Sequence, residues 1–123
     1  AGAGNCGSGD PALLYQTFAE QISRLSDQTR IYPGHDYLAN NLAFTLDREP
    51  DNAAARALLA EAEAQDMQAP IVTTLGQEKD LNTFMRLDSP SLIAKLCETF
   101  SDLPAEPSPR EVFLKLRQLR NDW

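Results

Sequence analysis

Apolar positions recur at helical spacing along most of this chain and predict a mostly helical protein. The first helix is expected to start at Asp10-Pro11, because Asp caps free N–H groups and Pro suits the first turn. Its apolar face is formed by Leu14, Phe18, Ile22 and Leu25. We expect this face to pack on a sheet that contains the short strand-like stretch around Ile31.

Four later segments show helical signals. One runs from Tyr37 to about Asp47, and an alanine-rich one, capped by Asp51, runs to about Gln65. Another opens at Ser89-Pro90, and the last opens at Ser108, which forms a capping box with Glu111. Their inward positions are Leu38, Leu42, Leu46, Leu58, Leu59, Leu92, Ile93, Leu96, Cys97, Phe100, Val112, Phe113, Leu116 and Leu119.

Two stretches between these helices are ambiguous. The β-branched run 71–74 predicts either an isolated extended segment or a loop. Residues 76–87 predict a weak helix or a turn. We therefore divide the chain into an α/β part over residues 1–36 and an all-helical part over residues 37–123.

Composition excludes several function classes. The formal net charge of −7 in 123 residues, without a basic stripe, argues against nucleic-acid binding. No apolar run reaches the roughly 18 residues that a membrane span needs. Two separated cysteines, Cys6 and Cys97, form no motif and indicate a reduced, cytoplasmic setting. The chain lacks an initiating Met, and we expect it to begin within a longer protein.

Candidate chemistry lies at three places. His35, the single histidine, follows the breaker pair Pro33-Gly34 at the end of a short strand, where it could ligate a metal or play an ordinary structural role. The glycine-rich residues 1–9 are either a flexible loop or a loop that approaches a ligand closely. Residues 108–123 hold four basic and two acidic side chains. That helix is either an ordinary surface helix or an anion-binding face, with Arg117 and Arg120 side by side.

Several blocks occur in order along the chain and together resemble a known family: Ala-Gly-Ala-Gly-Asn, Tyr-Pro-Gly-His-Asp-Tyr, Asn-Asn-Leu-Ala-Phe-Thr-Leu-Asp-Arg-Glu-Pro-Asp-Asn, and Thr-Leu-Gly-Gln-Glu-Lys-Asp-Leu-Asn-Thr-Phe-Met-Arg. The chain resembles the C-terminal half of a metallo-β-lactamase-fold hydrolase of the glyoxalase II (hydroxyacylglutathione hydrolase) type. The resemblance implies that residues 1–36 are the edge of an αββα sandwich and that residues 37–123 form a helical substrate-binding domain.

The resemblance also implies roles for individual residues. His35 falls on a metal ligand and Tyr37 on a residue that lines the substrate site, while Arg117 and Arg120 correspond to cations that bind the carboxylates of glutathione. The family's lysine and aromatic residue in the glycine-rich loop fall on Asn5 and Gly7. Glutathione recognition is therefore expected to differ here, with Asn5 at the substrate site.

The implied cofactor is a binuclear zinc centre, with iron or manganese as alternatives. Its other ligands would lie in a missing N-terminal half, so the isolated chain is expected to hold no metal and to be inactive. The expected substrate is a small thioester, and an uncovered apolar sheet face would favour a homodimer. Two alternatives are a persulfide dioxygenase-like iron enzyme and a non-catalytic helical interaction module.

Overall fold

The computed structural model describes residues 1–7, 9–64 and 70–123, and most of them are helical. The elements in chain order are α1 (Pro11–Glu20), a 3₁₀ helix (Ile22–Arg24), β1 (Arg30–Ile31), α2 (Leu38–Arg48), α3 (Ala53–Glu63), β2 (Thr73–Thr74), α4 (Leu75–Leu81), a second 3₁₀ helix (Thr83–Met85), α5 (Pro90–Thr99) and α6 (Pro109–Asn121). The predicted helical character is confirmed. Of the helices in these ranges, none combines the length and apolar character that a bilayer crossing requires.

Side-chain caps explain where several helices begin. The Asp10 carboxylate accepts from the backbone N–H of Ala12 at 2.8 Å, and α6 has the predicted capping box of Ser108 with Glu111. The cap predicted for α3 was displaced by one residue. Asn52, not Asp51, accepts from Ala55 N at 2.9 Å. Both residue types are good N-caps, so their order in the sequence did not distinguish them. Helix α3 ends at Glu63, and Gln65 lies outside the described residues.

Helix α1 packs on α6, so its expected packing on the sheet was wrong. The rings of Tyr15 and Phe18 lie 5.6 and 5.5 Å from the ring of Phe113, centroid to centroid. The sheet has two residues in each strand and is too small to cover a helix face. Leu25, predicted on the apolar face, is 49% exposed because it lies past the end of the 3₁₀ turn.

The second half of the β-branched run forms a paired strand, and Ile71 and Val72 before it have no regular secondary structure. Thr73 and Thr74 pair antiparallel with β1, in the register Arg30 with Thr74 and Ile31 with Thr73. Residues 76–87, left between helix and turn by the sequence, form most of α4 and then the second 3₁₀ helix. This pairing places the start of β1 beside the start of α4, since Leu75 N donates to the Thr29 carbonyl at 2.8 Å. The end of β1, which leads to the turn that carries His35, lies opposite Thr73.

Two apolar clusters hold the helices together. The larger joins α5, α6 and the second 3₁₀ helix and contains Phe44, Phe84, Leu92, Leu96, Leu103, Val112, Phe113 and Leu116. The smaller joins α2, α3 and α4 and contains Leu42, Ala55, Leu58, Ala62 and Leu81. Helix α2 contributes to both clusters. It therefore links the α3–α4 pair to α5 and α6, as does the chain between Leu81 and Phe84.

Candidate substrate cleft

A broad cleft of about 1170 Å³ lies between the glycine-rich segment, the turn from β1 to α2, and the C-terminal end of α6. All of the substrate and metal residues predicted from the sequence line it: Asn5, His35, Tyr37, Arg117 and Arg120. They come from three separate parts of the chain. The fold therefore brings the glycine-rich segment, the His35 turn and the basic C-terminal helix together on one concave surface.

His35 and Tyr37 form the outer wall of the cleft. Their rings stack with centroids 5.4 Å apart and planes 10° from parallel. Both side chains are exposed, Tyr37 to 57%. The backbone N–H of Tyr37 donates to the carbonyl of His35 at 3.1 Å, which tightens the turn before α2. The turn thus presents an imidazole and a phenol side by side to whatever enters the cleft.

Arg120 is positioned by α2. Its Nε and Nη2 atoms donate to Asn41 Oδ1 at 3.2 and 3.0 Å, and its guanidinium carbon lies 6.0 Å from the centre of the Phe44 ring. Asn41 is its one hydrogen-bond partner among the described residues, so Nη1 and one N–H of Nη2 remain to bind an anion. The side chain is half-buried. The hydrogen bonds to Asn41 hold the Arg120 guanidinium in place, and its partial exposure leaves it accessible to an anion in the cleft.

Arg117 is more deeply set, with 5% of its surface exposed. Nη1 donates to the Gly4 carbonyl at 2.6 Å, while Nε and Nη2 donate to Asn121 Oδ1 at 3.2 and 2.9 Å. Burial lowers the pKa of Arg117, Cys6 opposes that effect, and the neighbouring charge of Arg120 adds to it. The pKa of an arginine lies so far above neutral pH that Arg117 stays charged despite this shift. Two cations, Arg117 and Arg120, therefore lie at this end of the cleft.

Sequence reasoning missed the polar side chains that hold the glycine-rich segment. Asn41 Nδ2 donates to the Ala1 carbonyl at 2.7 Å, and Asn82 Nδ2 donates to the Gly2 carbonyl at 2.8 Å. Asn82 lies in the Asn-Thr-Phe-Met-Arg block, but nothing in that block indicates a partner near the start of the chain. Asn5 closes a local turn beyond this region, since its Oδ1 accepts from Gly7 N at 2.8 Å.

The described residues supply at most part of a metal centre. Within residues 1–7, 9–64 and 70–123, no group of three or more His, Cys, Asp or Glu side chains is arranged to hold an ion. Protein zinc sites generally take three or four protein ligands. The exposed imidazole of His35 fits a single ligand position, and the described residues do not by themselves fit a complete centre.

The fold and the cleft define a mostly helical domain with an open cleft that two arginines line at one end. The chain belongs to the family described as "Hydroxyacylglutathione hydrolase C-terminus", which matches residues 36–123. This family match confirms the resemblance to the C-terminal part of glyoxalase II.

Similar full-length proteins agree with that assignment. A protein named hydroxyacylglutathione hydrolase from Nitrosococcus oceani is 62% identical over all of this chain and 47% of its own length. Proteins of the same name from Polaromonas sp. strain JS666 and Anaeromyxobacter dehalogenans are 61% and 46% identical, over 100% and 98% of this chain and 47% and 48% of their own lengths. The chain spans about half the length of the curated relatives it matches.

Proposed function

We propose that this chain is the substrate-binding part of a thioester hydrolase that acts on hydroxyacylglutathione or a closely related thioester. The observation that carries the proposal is the convergence of the exposed His35–Tyr37 pair and the Arg117–Arg120 pair on one cleft. The family match over residues 36–123 supports a hydrolase in preference to the persulfide dioxygenase and the non-catalytic module.

The cationic end of the cleft takes the anionic part of the substrate. A glutathione thioester carries carboxylates, and an arginine fork binds a carboxylate through two parallel hydrogen bonds. Arg120 retains N–H groups for this role, and Arg117 adds a second positive charge behind it. Tyr37 offers an exposed ring and hydroxyl along the same wall. Asn5 stands where the family has a cation, so the glutathione portion is held with one positive charge fewer in the loop.

His35 supplies one ligand to a metal centre whose remaining ligands come from outside this chain, with residues 1–36 forming the edge of an αββα sandwich and residues 37–123 the helical domain. Zinc, as a binuclear centre, is the proposed metal, with iron or manganese as alternatives. When bound, such ions supply a water that is deprotonated near neutral pH. The contribution of this chain's own residues is to bind and orient the thioester beside that position.

A domain exchange tests the proposal. This chain replaces the matching C-terminal part of the Nitrosococcus oceani relative, to which it is 62% identical. We expect the resulting hydrolase to release glutathione from a hydroxyacylglutathione, measured by the appearance of free thiol. A folded chimera that lacks this activity, beside an active parent protein, would overturn the proposal.

A further inference from the structure

The first four residues are held by an unusual set of long-range hydrogen bonds. The carbonyls of Ala1, Gly2 and Gly4 each accept from a side chain, and each donor comes from a different part of the helical region. The donors are Asn41 on α2, Asn82 after α4 and Arg117 on α6. We infer that these three side chains act as positioning residues, forming a clamp that holds the glycine-rich segment as a wall of the cleft.

Burial and connectivity support the clamp. Asn82 is 2% exposed and Arg117 is 5% exposed, so neither donor has ready access to water as an alternative partner. Asn82 Nδ2 also donates to Glu78 Oε2 at 2.8 Å, and Glu78 Oε1 accepts from Thr73 Oγ1 at 2.7 Å. A buried donor that loses its acceptor costs free energy, so each bond resists movement of the segment.

The clamp also reaches the cationic end of the cleft. Asn41 donates to the Ala1 carbonyl through Nδ2 and accepts from Arg120 through Oδ1. One side chain therefore sets the position of both the glycine-rich segment and the half-buried Arg120. In this arrangement Arg117 acts on the substrate through Gly4 and the cleft wall, whereas Arg120 is the cation that contacts the anion.

Glycine is required where the clamp is tightest. Gly2 has φ +97°, and a Cβ placed there would lie 2.9 Å from Asn41 Nδ2. A substitution at Gly2 would both strain the backbone and push the Asn41 amide out of place. The close approach of the Gly2 backbone to the Asn41 side chain is therefore a physical reason for a glycine in this segment.

The test compares Asn82→Ser with Asn52→Ser in the 123-residue chain. Both asparagines are buried N-caps whose Nδ2 donates to a backbone carbonyl, Gly2 O for Asn82 and Asp80 O for Asn52. Serine keeps the cap in each case and removes the amide donor. Only the change at Asn82 touches the clamp, so Asn52→Ser controls for a general loss of stability.

We expect Asn82→Ser to shift the backbone amide NMR signals of residues 4–7, because the Gly2 carbonyl just before them loses its buried donor. Asn52→Ser should leave those signals in place. Signals of residues 4–7 that are unchanged in Asn82→Ser would overturn the clamp. If Asn82→Ser does not fold, Gly2→Ala is compared with Asn52→Ser instead, because a Cβ at Gly2 would displace the Asn41 amide. Shifted signals of residues 4–7 would support the clamp, and unchanged signals would overturn it.

The link to substrate binding rests on the proposed function and has its own readout. In the chimeric hydrolase described above, Asn82→Ser should raise KM for the thioester about fivefold and change kcat less than twofold. A merely structural role would lower the melting temperature without this split. If the chimera is inactive, the proposed function fails while the NMR comparison still decides the clamp. If KM is unchanged in an active chimera, the clamp does not position the substrate.

Discussion

Replacing Glu49 tests whether one buried carboxylate joins α2 to α5. Glu49 is 1% exposed, and its carboxylate accepts from Arg86 Nε at 3.0 and 3.2 Å and from Ser89 Oγ at 2.6 Å. Ser89 precedes α5 but makes no side-chain cap bond with that helix, because its hydroxyl is directed to Glu49. The carboxylate therefore fixes both the end of α2 and the start of α5.

The magnitude follows from these contacts. A hydrogen bond to a charged group contributes about 1.5–3 kcal/mol. In Glu49→Gln the Ser89 bond can persist, and the Arg86 side chain, 31% exposed, recovers part of its hydration. We therefore expect a loss of about 2 kcal/mol in the free energy of unfolding. Glu49→Ala also leaves the buried Ser89 hydroxyl without this acceptor, and it should cost about 3 kcal/mol.

Urea unfolding followed by circular dichroism at 222 nm measures both variants. The matched control is Glu61→Gln, which removes an exposed carboxylate from α3 and should change stability by less than about 0.5 kcal/mol. Equal unfolding midpoints for Glu49→Gln and the control would refute the reasoning. A Glu49→Ala variant that loses less than Glu49→Gln would refute it as well.

Two further predictions concern pH and metal. The Ser108 side chain, by hydrogen bonding, holds the pKa of Glu111 below its ordinary value of 4.5, so its contribution to stability is present above that value and is lost as pH falls through the lowered pKa. Glu111→Gln should therefore flatten the fall in urea midpoint between about pH 5 and pH 3, and an unchanged pH profile would contradict this. The 123-residue chain alone should retain substoichiometric zinc after desalting and hydrolyse no thioester, because the described residues offer no cluster of ligands. One zinc per chain by elemental analysis, lost in His35→Ala, would contradict that expectation.

Local features of the fold could be predicted from the sequence. The Ser108–Glu111 capping box and the Asp10 cap depend on residues two or three positions apart. Such local hydrogen bonds can be predicted from the sequence alone. The buried stripes of α5 and α6 follow from helical spacing in the same way. The cap of α3 was misplaced because Asp51 and Asn52 are adjacent residues with equal capping ability.

Features that depend on distant contacts could not be predicted. The expected packing of α1 on the sheet failed because Phe113, nearly a hundred residues away, offers a better apolar surface than a two-residue strand. The clamp bonds join residues 40, 80 and 113 positions apart. Single-sequence periodicity has no information about such pairs. Sequence reasoning could nominate Arg117 for the site, but the bond to Gly4 required the structure.

The most direct test of the central claim is the effect of Arg120→Gln on the chimeric hydrolase. If the cleft receives the anionic part of a thioester, KM should rise about tenfold, the change that roughly 1.4 kcal/mol of lost charge-assisted bonding gives, while kcat stays within about twofold. Arg110→Gln, at the exposed first turn of the same helix, is the matched control and should leave both parameters unchanged. An active chimera whose KM is the same with Arg120 or Gln at this position would contradict the account.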